Sequence, residues 1–95
     1  IFARFGGEEF IIVLPKTSLK SAYQLAEKIR SACENKSHDL IVENNNVKTV
    51  HKHIQTISIG IEELTDQTSS TLDLLEKADQ KLYQSKQNGR NCITY

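Results

Sequence analysis

The spacing of apolar residues changes several times along the chain, and each spacing predicts a different element. Phe10 to Leu14 form a continuous apolar run that ends at Pro15, which is typical of a strand buried on both faces. Ile1 to Phe5 look like the end of an earlier strand. Between these segments, the adjacent Gly6 and Gly7 can supply the positive φ angles that a tight reversal needs. The pattern therefore predicts a β-hairpin that turns at the two glycines.

Apolar residues then recur at steps of three and four, which is the spacing of one helix face. This spacing predicts a helix over about Ser18 to Glu34, with Thr17 or Ser18 as its N-cap. Its apolar stripe consists of Leu19, Ala22, Tyr23, Ala26, Ile29 and Cys33. Four charged residues lie mostly off this stripe and are expected to be solvated: Lys20, Glu27, Lys28 and Arg30.

A second helix is predicted over about Thr71 to Gln87. Ser70 and Asp73 approximate a capping box at its start, and Asn88 followed by Gly89 is a stop signal at its end. The buried stripe consists of Leu72, Leu75, Ala78 and Leu82, with Tyr83 beside it. Packing in the core is the favoured interpretation for the rings of Tyr83 and Phe5, ahead of stacking on a ligand.

The remaining apolar segments predict short strands. The segment "QTISIGIEEL" places Ile57, Ile59 and Ile61 on one face and Ser58 and Gly60 on the other. The last residues, "NCITY", predict a final strand. The segment "DLIVENNNVKTV" is either a hairpin that turns at its three asparagines or a loose surface excursion.

Composition narrows the class of protein. The chain has 95 residues, of which 38% are hydrophobic and 25% are charged, as in an ordinary soluble domain. Twelve basic residues balance twelve acidic ones, so neither a nucleic-acid polymer nor a membrane surface is an expected partner of this segment. There is no methionine and the first residue is Ile1, so we expect the chain to be a portion of a longer protein.

Four charged residues suggest chemistry. Glu8 and Glu9 are adjacent carboxylates at the glycine turn, and hard divalent cations prefer several oxygen ligands. Lys86, at the end of the second helix, and Arg90, just beyond its glycine stop, could grip a phosphate group. Each feature also has an ordinary interpretation, namely a solvated turn and charges that favour the helix dipole.

Three stretches together resemble a known family. "ARFGGEEF" before an apolar strand, then "ISIGI", then "ADQKLYQSKQNGRN" are similar to the GGDEF domain of diguanylate cyclases in its GGEEF form. The similarity extends from Ala3 to Asn91 in the family's order. It implies an α+β fold of the palm or nucleotidyl-cyclase kind, with helices packed on an antiparallel sheet. Residues 1–95 would be the C-terminal portion of a single such domain, without its N-terminal strand and two helices.

The resemblance also implies roles for individual residues. The family condenses two molecules of GTP into cyclic di-GMP, and Gly6 and Gly7 would lie against the nucleotide. Glu8 would ligate Mg²⁺ or Mn²⁺ and help to activate the attacking 3′-hydroxyl, with Glu9 as a second acidic residue at the metal. The two basic residues, Lys86 and Arg90, would hold the terminal phosphates. Catalysis would require a homodimer in which each protomer presents one GTP, in a cytoplasmic domain whose parent protein can be anchored to a membrane through other domains.

Parts of the family pattern would lie upstream of Ile1. They are a further metal-binding carboxylate, the residues that recognise guanine, and an inhibitory Arg-x-x-Asp site. Residues 1–95 alone are therefore expected to be inactive. Two alternatives to a cyclase remain: a degenerate domain that binds GTP or cyclic di-GMP without turnover, and an interaction domain that binds no nucleotide.

Overall fold

The computed structural model describes residues 2–4 and 6–95 and has principal extents of 61 × 26 × 24 Å. Two helices and six strands are described. In chain order they are β1 (Phe2–Arg4), β2 (Phe10–Ile12), α1 (Leu19–Glu34), β3 (Ser37–Asn44), β4 (Val47–Ile54), β5 (Ile59–Gly60), α2 (Thr71–Gln87) and β6 (Ile93–Thr94). The helices and antiparallel strands confirm the α+β class. The packing expected for Phe5 falls outside the described residues.

The described strands form three separate pairs. β1 pairs with β2 and β3 pairs with β4, both antiparallel, whereas β5 and β6 are parallel. The parallel pair follows from the connection, because α2 lies between β5 and β6 and carries the chain back to the same end. Within the described part of the chain, no strand joins these pairs into one continuous sheet.

Helix α1 begins where the sequence predicts. The hydroxyl oxygen of Ser18 accepts a hydrogen bond from the Ser21 amide at 3.2 Å, so Ser18 is the N-cap. The Glu63 carboxylate accepts another from the Leu19 amide at 2.9 Å. A negative group at this end also favours the helix dipole. Glu63 therefore links the start of α1 to the segment after β5.

Helix α2 has the predicted signals at its start. The Ser70 hydroxyl accepts from the Asp73 amide at 3.0 Å, and the Asp73 carboxylate accepts from the Ser69 amide at 3.1 Å. The reciprocal bond of a capping box is thus present, shifted by one residue. The Ser69 bond, followed by Lys77, lowers the pKa of Asp73.

Helix α2 also ends where the sequence predicts. Gly89 has φ of +106°, and the Arg90 amide donates to the Ser85 carbonyl at 3.0 Å. This six-to-one bond closes the helix in the manner of a Schellman motif. The stop predicted at Asn88 and Gly89 is confirmed.

Helix α2 packs directly on the β5–β6 pair. A Cβ placed on Gly60 would overlap the backbone of Ala78 and Leu82, so glycine is required for this close approach. Ala26 of α1 is 7% exposed and Ser85 of α2 is fully buried. The most buried positions therefore lie on the helices that cover this small sheet.

Three burial expectations are wrong in the described structure. Tyr83 is 63% exposed and Leu72 is 64% exposed, because both lie on faces of α2 turned away from the β5–β6 pair. In β2, Phe10 and Ile12 are exposed. The described strand β2 has β1 as its only neighbour, so its apolar residues are not covered on both faces.

The asparagine-rich segment is a hairpin. Eight residue pairs join β3 to β4, from Ser37 with Ile54 to Asn44 with Val47. The two turn residues, Asn45 and Asn46, have φ of +52° and +66°, as a type I′ turn requires. Every residue of both strands is exposed. The hairpin alternative is thus confirmed, and it is longer than the sequence alone suggests.

Neither described helix is long and apolar enough to cross a bilayer.

Candidate functional site

The glycine hairpin has the geometry that its sequence predicts. Gly6 and Gly7 have φ of +63° and +49°, and the Glu9 amide donates to the Gly6 carbonyl at 3.0 Å. A Cβ on either glycine would meet none of the described atoms within 4 Å. The glycines are therefore required by the backbone conformation and not by packing within the described chain. As far as the described atoms go, the space beside both residues is open.

Arg4 holds the hairpin loop in this shape. Its Nε and Nη2 atoms both donate to the Gly7 carbonyl oxygen, at 3.0 and 2.8 Å. The planar guanidinium fork suits such a two-pronged contact. Sequence reasoning did not assign a role to Arg4. Its position two residues before a glycine pair, at the end of a short strand, is the only signal that could have suggested one.

The glycine hairpin is joined to α2 by an ion pair. The Nζ atom of Lys86 lies 3.6 Å from Oε1 of Glu9, and both side chains are partly exposed. These residues are 77 positions apart in the sequence, yet both were predicted to belong to one site. Glu8, at the tip of the same loop, is exposed. The structure thus places one predicted carboxylate and one predicted phosphate-binding cation in direct contact.

Arg90 lies in a left-handed turn after α2. It is exposed, with φ of +65°, and its backbone amide is bonded to Ser85. In the part of the chain that the structure describes, no ion pair within 4.0 Å involves Arg90 or Glu8. Of the four charged residues predicted for the site, the structure therefore pairs only Glu9 and Lys86.

Ser85 anchors the end of α2 that carries Lys86. Its hydroxyl donates to the Ile59 carbonyl at 2.8 Å and lies 2.7 Å from the Thr94 hydroxyl. Cys92 donates its thiol to the Ser85 carbonyl at 3.3 Å. A buried hydroxyl with partners on β5 and β6 fixes the last turn of α2 against the small sheet. Sequence reasoning missed Ser85, because serine within a helix usually faces solvent.

Arg30 was expected to be solvated, and this is wrong. Its side chain is only 17% exposed. It donates to both carboxylate oxygens of Glu27, to Glu34 at 2.5 Å, and to the Asn91 side-chain oxygen at 2.9 Å. The amide nitrogen of Asn91 donates in turn to Glu34 at 2.6 Å. The helical pattern could not reveal this cluster, because its partner Asn91 lies 61 residues farther along the chain.

Contacts within the cluster shift the pKa values of its side chains. Hydrogen bonds from Arg30 lower the pKa of Glu27, and hydrogen bonds from Asn91 and then Arg30 lower the pKa of Glu34. The carboxylates raise the pKa of Arg30, Glu27 contributing most. The cluster is therefore a charged network at neutral pH.

Glu8 and Glu9 are the described residues predicted to hold a divalent cation. No group of three or more histidine, cysteine or acidic side chains among the described residues is arranged to hold a metal ion. Glu8 and Glu9 provide two carboxylates on the loop of the glycine hairpin. Mg²⁺ usually binds through one or two carboxylates together with substrate phosphates and water. The pair fits an ion that is shared with a phosphate ligand.

Comparison with known proteins identifies the family. Residues 1–92 match the family model described as diguanylate cyclase, GGDEF domain. The chain is 41% identical over 92 residues to Diguanylate cyclase A of Treponema denticola, covering 97% of this chain and 23% of that protein. It is 38% identical over 93 residues to a diguanylate cyclase of Vibrio cholerae, covering 97% and 26% respectively.

A third relative is named as a response regulator. The chain is 34% identical over 90 residues to Response regulator PleD of Caulobacter vibrioides, covering 95% of this chain and 18% of that protein. The chain thus spans about a quarter or less of the length of these relatives. The match over residues 1–92, and the glycine hairpin and α2 that it includes, show that the chain belongs to the GGDEF domain family of diguanylate cyclases.

Proposed function

We propose that this chain is the part of a diguanylate cyclase domain that holds the triphosphate of GTP and the cation bound to it. The ion pair between Glu9 and Lys86 at 3.6 Å carries the proposal. It joins a carboxylate of the metal-binding type to a cation of the phosphate-binding type, from two distant segments. Two relatives are named diguanylate cyclase, which supports the same activity for the protein that contains this chain.

The glycine hairpin provides the surface for the nucleotide. Gly6 and Gly7 leave open space beside the backbone, so phosphate or ribose atoms can approach closely. Arg4 keeps the Gly7 carbonyl fixed through its two hydrogen bonds. The loop therefore needs little reorganisation when the nucleotide binds.

The charged residues have separate roles in binding phosphate, binding the metal ion and accepting a proton. Lys86 and Arg90 would hold the terminal phosphates, and Glu8 and Glu9 would hold Mg²⁺ or Mn²⁺. Glu8 also orients the 3′-hydroxyl and receives its proton as the hydroxyl oxygen attacks the α-phosphorus of the second GTP, with pyrophosphate leaving. A bound divalent ion supplies positive charge to the phosphate oxygens in such a reaction.

Nucleotide binding would change the partner of Lys86, which is Glu9 in the structure. A triphosphate would compete with Glu9 for Lys86, because the triphosphate carries more negative charge than one carboxylate. Glu9, released from Lys86, would then be available to hold a cation. Two protomers, each with one GTP, complete the reaction in a cytoplasmic homodimer.

The experiment compares Glu8→Gln with the unchanged full-length protein for cyclic di-GMP production and for thermal unfolding. Gln keeps the size of Glu8 and removes its charge, so activity is expected to fall by orders of magnitude. The melting temperature should hardly change, because an exposed carboxylate contributes little to stability.

Glu76→Gln on the exposed face of α2 is the matched control and should leave both measurements unchanged. Near-normal activity of Glu8→Gln would reject the proposal. GTP binding without product in the unchanged protein would instead identify a nucleotide-binding regulatory module.

A further inference from the structure

The turn that follows α2 has a backbone conformation that is costly for residues other than glycine. Gly89, Arg90 and Asn91 all have positive φ, at +106°, +65° and +49°. Glycine adopts such angles freely, but arginine and asparagine do so at a cost in free energy. Three consecutive residues of this kind persist only where surrounding contacts fix them. The contacts therefore matter for the direction in which Arg90 projects.

Asn91 makes the contacts that fix the turn. Its side-chain oxygen accepts from Arg30 at 2.9 Å, and its side-chain nitrogen donates to Glu34 at 2.6 Å. Its backbone amide donates to the Ser58 hydroxyl at 3.2 Å. Both ends of the side-chain amide are thus bound to α1. The backbone is bound to the segment that leads into β5.

Arg30 is itself held in one orientation. Its Nε and Nη2 atoms bind the two carboxylate oxygens of Glu27 at 2.9 and 2.5 Å. Its Nη1 atom binds Glu34 and Asn91. A planar guanidinium with these partners has little rotational freedom. Its 17% exposure also limits competition from water.

We propose that Arg30 is a positioning residue for the triphosphate. With Glu27 and Glu34 it holds Asn91, and Asn91 holds the neighbouring Arg90 in the conformation that presents its guanidinium to the terminal phosphates. The other side of Arg90 is fixed by the bond from its amide to Ser85. This inference rests on the proposed function of Arg90. It adds a residue on α1, remote in sequence from the glycine hairpin and from the turn.

The test measures the affinity of the full-length protein for a non-hydrolysable GTP analogue and for GMP, with magnesium present. GMP lacks the terminal phosphates, so its affinity measures the rest of the nucleotide site, without the contact that Arg90 is proposed to make. Arg30→Met removes the guanidinium and retains an unbranched apolar side chain. It should weaken binding of the triphosphate by roughly tenfold or more and leave GMP affinity unchanged. Arg30→Lys should restore the affinity only in part, because lysine lacks the planar fork.

Two further variants keep the test decisive. Glycine adopts the left-handed backbone of position 91 but lacks the side-chain amide of Asn91. Asn91→Gly should therefore weaken binding of the triphosphate and not of GMP, even if Arg30→Met folds poorly. Lys28→Met removes an exposed positive charge from the same helix and should change neither affinity.

Arg90→Ala separates this inference from the proposed function. If Arg90→Ala leaves triphosphate affinity unchanged, the phosphate role of Arg90 is wrong. If Arg90→Ala weakens triphosphate binding but Arg30→Met and Asn91→Gly do not, the positioning role alone is wrong. An equal loss of GTP-analogue and GMP affinity in those two variants would also reject it, since that is the effect of general destabilisation.

Discussion

At the scale of single residues, the end of α2 depends on a few buried or half-buried polar contacts. The Ser85 hydroxyl joins the helix to β5 and β6, and the residues that follow carry Lys86 and the left-handed turn. The described chain leaves no buried side-chain nitrogen or oxygen without a partner. Loss of one such contact therefore leaves its partner unsatisfied at a position with limited access to water.

Ser85→Ala is expected to lower the free energy of unfolding by about 1–3 kcal/mol, because it removes a buried hydroxyl and both of its hydrogen bonds. Chemical denaturation measured by circular dichroism gives this value. Gln87→Ala, at an exposed position in the last turn of α2, is the control and should change it much less. A Ser85→Ala protein as stable as the control would show that the hydroxyl does not anchor the helix.

Acid is expected to destabilise the Arg30 cluster. The folded-state pKa values of Glu27 and Glu34 lie below those of the unfolded chain. Both carboxylates therefore stabilise the fold above about pH 4.5, and this stability is lost as the pH falls through the folded-state pKa values. The measurement is the melting temperature between neutral and acidic pH.

The double variant Glu27→Gln with Glu34→Gln should be less stable at neutral pH and should lose less stability on acidification. Glu76→Gln should follow the unchanged protein. If the double variant shows the same acid dependence as the unchanged protein, these carboxylates are not the groups that titrate.

At the scale of elements, the sequence predicts helices better than strand pairing. The N-caps of α1 and α2 and the C-terminal stop of α2 are signalled by residues within four positions of those ends, so local rules locate them. Gly60 fits tightly against α2, but nothing within β5 identifies its partner. The same holds for the site: Gly6 and Gly7 are recognisable locally, whereas Arg30 acts through a residue 61 positions away. Contacts between distant segments depend on tertiary packing, which a short sequence window does not contain.

The turn of the β3–β4 hairpin offers a test at this scale. Asn46 has φ of +66° at the second central position of the turn, where glycine is the preferred residue. Asn46→Gly is expected to raise the free energy of unfolding of the hairpin by a few tenths to about 1 kcal/mol. Hydrogen exchange of the β3 and β4 amides measures it. Asn44→Gly, at the last position of β3, should speed exchange, because glycine loses more backbone entropy than asparagine when the strand forms.

At the scale of the whole molecule, the sheet pairs leave apolar edges. β2 has only β1 as a described neighbour, and Ile12 is 47% exposed. Unpaired strand edges with apolar side chains favour pairing with other chains. The described fold thus combines a well-fixed helical end with a hairpin that can recruit further strands.

The polypeptide of residues 1–95 in isolation is therefore expected to self-associate, and sedimentation velocity at increasing concentration measures this. Ile12→Lys places a charge on β2 and should reduce the association. Leu64→Lys, at an exposed apolar position outside the described strands, should have little effect. A monomer at all concentrations, or an equal effect of both variants, would count against association through β2.

The β3–β4 hairpin also constrains how the length of this segment can vary among related proteins. Each residue of β3 has a fixed partner in β4, so a longer hairpin must gain residues on both strands together. A single inserted residue would create a bulge or exchange the two faces of one strand. Natural insertions and deletions here are therefore expected in even numbers, centred on Asn45 and Asn46. The spacing from Ser85 to Asn91, which connects α2 to α1, should stay constant.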